Sequence, residues 1–94
     1  MMNLPSDLQA ALLGRRVVFL RGRLDEAVAN SVISQLLMVA QMEPGRNIDL
    51  YVDSPGGTYS AALSVYDVLQ ALGTPVSTTC TGTVGGAAVL ILAG

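Results

Sequence analysis

Histidine, lysine and tryptophan are absent from this chain, and cysteine occurs once, at Cys80. Histidine is the one side chain whose unperturbed pKa falls near neutrality, so its absence removes the usual general base. One cysteine and no histidine leave too few ligands for a zinc site, and no metal or other cofactor is expected. A single cysteine also excludes an intramolecular disulfide, and nothing here reads as a secreted disulfide scaffold. Charged residues make up 13% of the chain, about half the usual share of a soluble domain. The net charge is −2 and all the basic residues are arginine, which argues against nucleic acid as a partner. Arg15, Arg16, Arg21 and Arg23 surround an expected strand and are read as solvated flanks rather than a phosphate patch.

The first residues, Met1 to Leu13, carry an acid and no basic cluster, so they do not read as a signal peptide. No charge occurs from Val68 onward, but glycine, proline, serine and threonine interrupt that span. Its unbroken apolar piece, Ala87 to Ala93, is too short to cross a bilayer, and the span is read as buried core. The expected setting is the cytoplasm, with no membrane partner.

What the chain does have is apolar surface, with 51% of its 94 residues hydrophobic. A chain of this length makes one small domain that buries a modest share of its surface alone. Such a composition suits a subunit that covers apolar faces against copies of itself or a relative.

The pattern along the chain alternates between strand and helix. Ser6-Asp7-Leu8-Gln9 has the form of a capping box and predicts a short helix to Leu13, stopped at Gly14. Val17 to Leu20 is β-branched and aromatic, fit for a buried strand. Asp25 and Glu26 open a helix whose apolar face is Val28, Val32, Leu36 and Val39, with Ile33 and Leu37 beside them. It ends at Glu43-Pro44-Gly45. Ile48 to Val52 alternates as a strand, Tyr59 to Leu72 reads as a helix, Val76 to Cys80 as a strand, and a last helix starts near Gly86. The expected fold is a single α/β domain with repeated β-α units and a mostly parallel sheet. The final helix has no polar cap, so the chain is read as the N-terminal part of a longer fold, incomplete at its C-terminus.

Two of the strand-to-helix junctions carry glycine pairs, Asp53-Ser54-Pro55-Gly56-Gly57 and Gly85-Gly86. Turns of this kind can aim bare backbone N–H groups at one point, which is how an oxyanion hole is built. Read alone, such glycines often do no more than permit positive φ or close packing. Ser54 is expected to hydrogen-bond local backbone, Ser60 to be solvated at a helix start, and Cys80 to be a small buried hydrophobe. Thr83 lies near the second pair with no base to activate it. Asp53 and Asp67 are read as structural, one bonding the turn and the other facing solvent or a neighbour.

Several stretches taken together resemble the Clp protease proteolytic-subunit family. They are Val17 to Gly22, Asp25 with Val28-Ala29-Asn30, Gln35-Leu36-Leu37, Asp49 to Gly57, Tyr66-Asp67 and Val76 to Gly82. These proteins are serine peptidases that stack as rings under an ATP-driven unfoldase, within the wider crotonase-like superfamily. The resemblance implies oxyanion donors at the backbone of Gly57, within the turn of Ser54, Pro55 and Gly56, and at Ala87. The nucleophilic serine would stand at Gly86, which has no side chain, and the family's histidine and aspartate would lie beyond Gly94. Tyr51 matches an aromatic of the pocket where the unfoldase docks, while Ala71 replaces a large aromatic usual there. Tyr51 is equally well read as packing in the sheet.

The resemblance thus implies a catalytically inactive pseudoenzyme that joins rings of related subunits, whether as a homo- or hetero-oligomer. One alternative is part of a crotonase-like acyl-transfer enzyme that uses the same glycine turns. Another is a small structural or interaction domain.

Overall fold

In the computed structural model, residues 6–93 are described, except for the side chains of Ser6, Gln9 and Ala93. The expected Ser6–Gln9 capping box therefore lies outside the described residues. The elements are α1 (Ser6–Gly14), β1 (Val17–Arg21), α2 (Glu26–Met42), β2 (Ile48–Ser54), α3 (Tyr59–Ala71), β3 (Val76–Val84) and α4 (Ala88–Ala93). The strands form one parallel sheet in the order β1-β2-β3. The chain is an α/β domain, as the alternation of periods predicts.

Each long helix starts where a side chain accepts an otherwise orphaned N–H. The Asp25 carboxylate accepts from Val28 N at 2.9 Å, and the Thr58 hydroxyl accepts from Ala61 N at 3.3 Å. Val28, Val32, Leu36 and Val39 of α2 are fully or almost fully buried, as their spacing requires, whereas Leu37 is exposed. The core lies where α2 packs on β1, β2 and α3, and α3 on α4, with Leu20, Leu50, Val52 and Val65 inaccessible to solvent.

β2 alternates strictly between buried Ile48, Leu50, Val52 and Ser54 and half-buried Asp49, Tyr51 and Asp53. One face of the sheet is thus the core, and the other is open. On that open face Phe19, Tyr51 and Thr79 stand in register across the three strands. The rings of Phe19 and Tyr51 meet edge to face, with centroids 5.3 Å apart.

Two expectations are corrected by the fold. Arg16 is not a solvated flank; it is buried, and its guanidinium donates to the carbonyls of Val39 (2.8 Å), Glu43 (3.0 Å), Arg46 (2.7 Å) and Asn47 (3.1 Å). Those oxygens lie at and just after the C-terminus of α2, where carbonyls lack helical partners and the helix dipole favours a cation.

The uncharged span after Val68 is not buried throughout either. β3 is an edge strand, and Thr79 to Thr83 are all exposed. Cys80 is among them, so it is not the buried hydrophobe its apolar neighbours implied; its thiol donates to Gly82 O at 3.1 Å. A strand made mostly of threonine, serine and glycine tolerates water without any charge.

Candidate functional site

The β2–α3 turn is held by its own serine and by its neighbours. Ser54 is buried, and its hydroxyl accepts from Gly56 N at 3.2 Å, the local role expected of it. On one side the turn pairs with the stretch after β1: Leu24 N donates to Gly56 O at 2.8 Å, and Thr58 N donates to Leu24 O at 2.9 Å. Gly57 lies between those two bonds, against the Leu24 backbone, and a Cβ there would overlap the Leu24 carbonyl. Only glycine lets these backbones come so close.

On its other side the same turn touches the second glycine pair. Gly85 N donates to Ser54 O at 3.1 Å. Gly56 has φ of +109°, and a Cβ on it would fall 2.7 Å from Gly85 O and 3.4 Å from Gly86 Cα. The two glycine turns, separated in sequence by α3 and β3, are thus packed backbone on backbone. Neither the Gly57 N–H nor the Ala87 N–H donates a hydrogen bond to another described residue.

Gly86 stands at the entry to α4, with φ of +50°. A Cβ there would meet Pro55 O and Gly56 Cα at 3.9 Å, an ordinary contact. Space for a side chain exists at this position, and its backbone is in the left-handed conformation seen at sharp strand-to-helix turns that present nucleophiles. Beyond it the chain tightens, with Ala88 N bonded to Gly85 O, Val89 N to Gly86 O and Leu90 N to Ala87 O. Ala88 and Ile91 anchor this segment in the core.

A family model described as Clp protease matches residues 3–94. The chain belongs to the Clp protease family. The Clp protease match spans both glycine turns and every element of the fold.

The remaining polar residues can be placed against this Clp protease frame. Asp53 sits where the register of β2 and β3 shifts, and its Oδ1 accepts from Thr83 N at 3.0 Å. Its partner is therefore the strand leading to the second glycine pair, not its own turn. Arg21 Nε lies 3.8 Å from Asp53 Oδ2, a loose and exposed ion pair worth little. Ser60 and Asp67 are exposed, as expected of them. Thr83 contributes its backbone to Asp53, and Tyr51 packs edge to face on Phe19 while its side chain stays half-buried on the open face of the sheet.

Sequence reasoning misses two contributors to the site, Leu24 and Thr58. Thr58 is legible as a capping residue directly before an apolar helical run. Leu24 gives no signal, because its part is played by its backbone.

A shallow cleft between the starts of α2 and α3 is lined by Glu26, Ala29, Asn30, Ser60, Ala61 and Ser64, and by none of the turn glycines. Among the described residues no group of three or more histidine, cysteine, aspartate or glutamate side chains could hold a metal, and no helix is long and apolar enough to cross a membrane.

Proposed function

We propose that this chain acts as a non-catalytic Clp-protease-like subunit that enters mixed rings with active relatives in the cytoplasm. The observation that carries this proposal is Gly86: the position with room for a nucleophile bears no side chain. The chain also contains no histidine to serve as base. Loss of the serine or histidine of a triad costs roughly 10⁶ in turnover, and an oxyanion hole with no attacking group leaves only weak residual catalysis.

The amides of Gly57 and Ala87 are then the remnant of an oxyanion hole, a cradle for negative charge that no longer has a reaction to serve. Its persistence is supported by the direct packing of the two turns, which makes the cradle part of the fold's own framework. Docking of an ATP-driven unfoldase at Tyr51 belongs to the same reading, weakened by the small Ala71 where the family usually has an aromatic.

Mixing the purified chain with an active family member tests this. A co-eluting assembly that takes up no fluorophosphonate on this chain is expected. Separate elution over a wide concentration range, or peptide cleavage by the chain alone, would remove the proposal.

A further inference from the structure

We propose that the Asp53 carboxylate is a latch that selects between two registers of β3 on β2, and that releasing it parts the two glycine turns. The latch acts within one chain, whether or not that chain joins a ring.

Between Val52 and Ser54 β2 advances two residues, while β3 advances four, from Cys80 to Val84. A surplus of one residue would turn every later side chain to the wrong face of the sheet; a surplus of two does not. Pro75 O accepts from Ile48 N, so odd-numbered residues of β3 carry the groups that face β2. Thr83 and Gly85 share that phase. Either amide can therefore serve the same acceptor, Ser54 O, and the choice between them is the choice of register.

Gly85 N holds Ser54 O at 3.1 Å, and Thr83 N is parked on Asp53 Oδ1 at 3.0 Å. Gly82 makes room for the carboxylate, since a Cβ there would lie 2.5 Å from Oδ1. The Cys80 thiol also ties the surplus, donating to Gly82 O at 3.1 Å, but a thiol is a weak donor. A strand whose extra residues are held by side chains has two discrete arrangements, the requirement for a switch.

In the slipped register Ser54 stands opposite Gly82, and Thr83 N donates to Ser54 O. Gly85 then shifts along the strand by two residues, roughly 6–7 Å. It leaves its seat on Gly56, where the two backbones now touch. Val84, half-buried against the core, is displaced as well, and a glycine takes its place. That loss and the Asp53 bond both favour the register observed, and removing the carboxylate takes away one of the two.

Relaxation-dispersion NMR on the full chain reads the exchange. In Asp53→Ala the share of molecules in the slipped register should rise about tenfold, the equilibrium equivalent of one charge-assisted bond. Thr83, Gly85, Gly86 and Ala87 should report one common rate and population, while Leu50 and Thr78, ahead of the surplus, report none. Asp53→Asn keeps an oxygen acceptor and should restore the parent behaviour.

Exchanging two residues, Gly82→Val with Val84→Gly, puts valine opposite Ser54 only in the slipped register. Couplings across the hydrogen bond should then join Thr83 N–H to Ser54 C=O, where the parent joins Gly85 N–H. Three results would each overturn the proposal: the Gly85 coupling retained in the exchanged variant, absent or independent exchange at Thr83 and Gly85 in Asp53→Ala, or Asp53→Asn behaving like Asp53→Ala. The two Asp53 variants decide the matter if the exchanged variant fails to fold.

Discussion

Asp53 and Thr83 are joined across the β2–β3 register shift, the carboxylate Oδ1 accepting the Thr83 backbone N–H at 3.0 Å. This bond bridges the ends of the two strands that lead into the glycine turns. It is charge-assisted, and the carboxylate is partly exposed, so the lower part of the usual range of about 1.5–3 kcal/mol applies. Asp53→Ala should therefore lower stability by about 1.5 kcal/mol and speed amide exchange at Thr83 and Gly85. Chemical denaturation and native-state hydrogen exchange measure the two effects.

Gly82 packs under that carboxylate. A Cβ there would lie 2.5 Å from Asp53 Oδ1, so Gly82→Ala must displace the Asp53 side chain and break its bond. The two losses are the same loss counted twice. Asp53→Ala combined with Gly82→Ala should cost clearly less than the sum of the single variants, a non-additivity that a double-mutant cycle detects.

Arg16 supports the opposite end of the sheet. Its side chain satisfies four carbonyls at the end of α2 from a backbone with φ of +64°, a conformation that non-glycine residues rarely adopt. Arg16→Met removes the charge and all four bonds, and the carbonyl of Val39 is left buried. We expect a loss on the order of 3 kcal/mol. Arg16→Lys should recover only part of it, because an ammonium cannot reproduce the planar fork that reaches several oxygens at once. Urea midpoints of the two variants give the ranking.

The difference between what is legible in the sequence and what is not reflects where each cause lies. The strands and helices are readable because their causes are local: Ile48, Leu50 and Val52 alternate, Val28, Val32, Leu36 and Val39 recur at helical spacing, and Asp25 caps the helix they form. The glycine turns are readable as turns. Their contact is not, since the packing of Gly56 on Gly85 depends on the path of α3 and β3 between them. The role of Arg16 is hidden because its acceptors lie 23 to 31 residues away. The exposure of Cys80 is hidden because it depends on whether its strand is an edge, and no single strand announces its place in the sheet.

Glu43 gives a small pH dependence whose sign is fixed. Its carboxylate accepts from Arg46 at 2.8 Å, and that hydrogen bond, reinforced by the charge of Arg46, holds its pKa below the ordinary glutamate value of 4.5. A carboxyl depressed in the folded state contributes stability that is present above its unfolded pKa and is lost as pH falls through the lower folded value. The contribution should therefore begin to fall below about pH 4.5 and be gone once the lower folded-state value is passed. Because the pair is exposed, it should also fade with added salt. Glu43→Gln should leave stability near neutrality almost unchanged and flatten the acid limb of the denaturation curve at low ionic strength.

Gly86→Ser tests where the chemistry stops. The contact distances of 3.9 Å allow the new Cβ, while the positive φ makes it costly by about 1 to 2 kcal/mol. The variant should fold, with a reduced denaturation midpoint. It should not react with a fluorophosphonate, because a serine hydroxyl needs an adjacent base to become a nucleophile and this chain has no histidine. Intact-mass spectrometry after incubation with the probe reads the outcome directly. A stoichiometric adduct on the variant that is absent from the parent chain would mean that another group near Pro55 and Gly56 takes the proton, and that a hydroxyl at position 86 is by itself enough for attack.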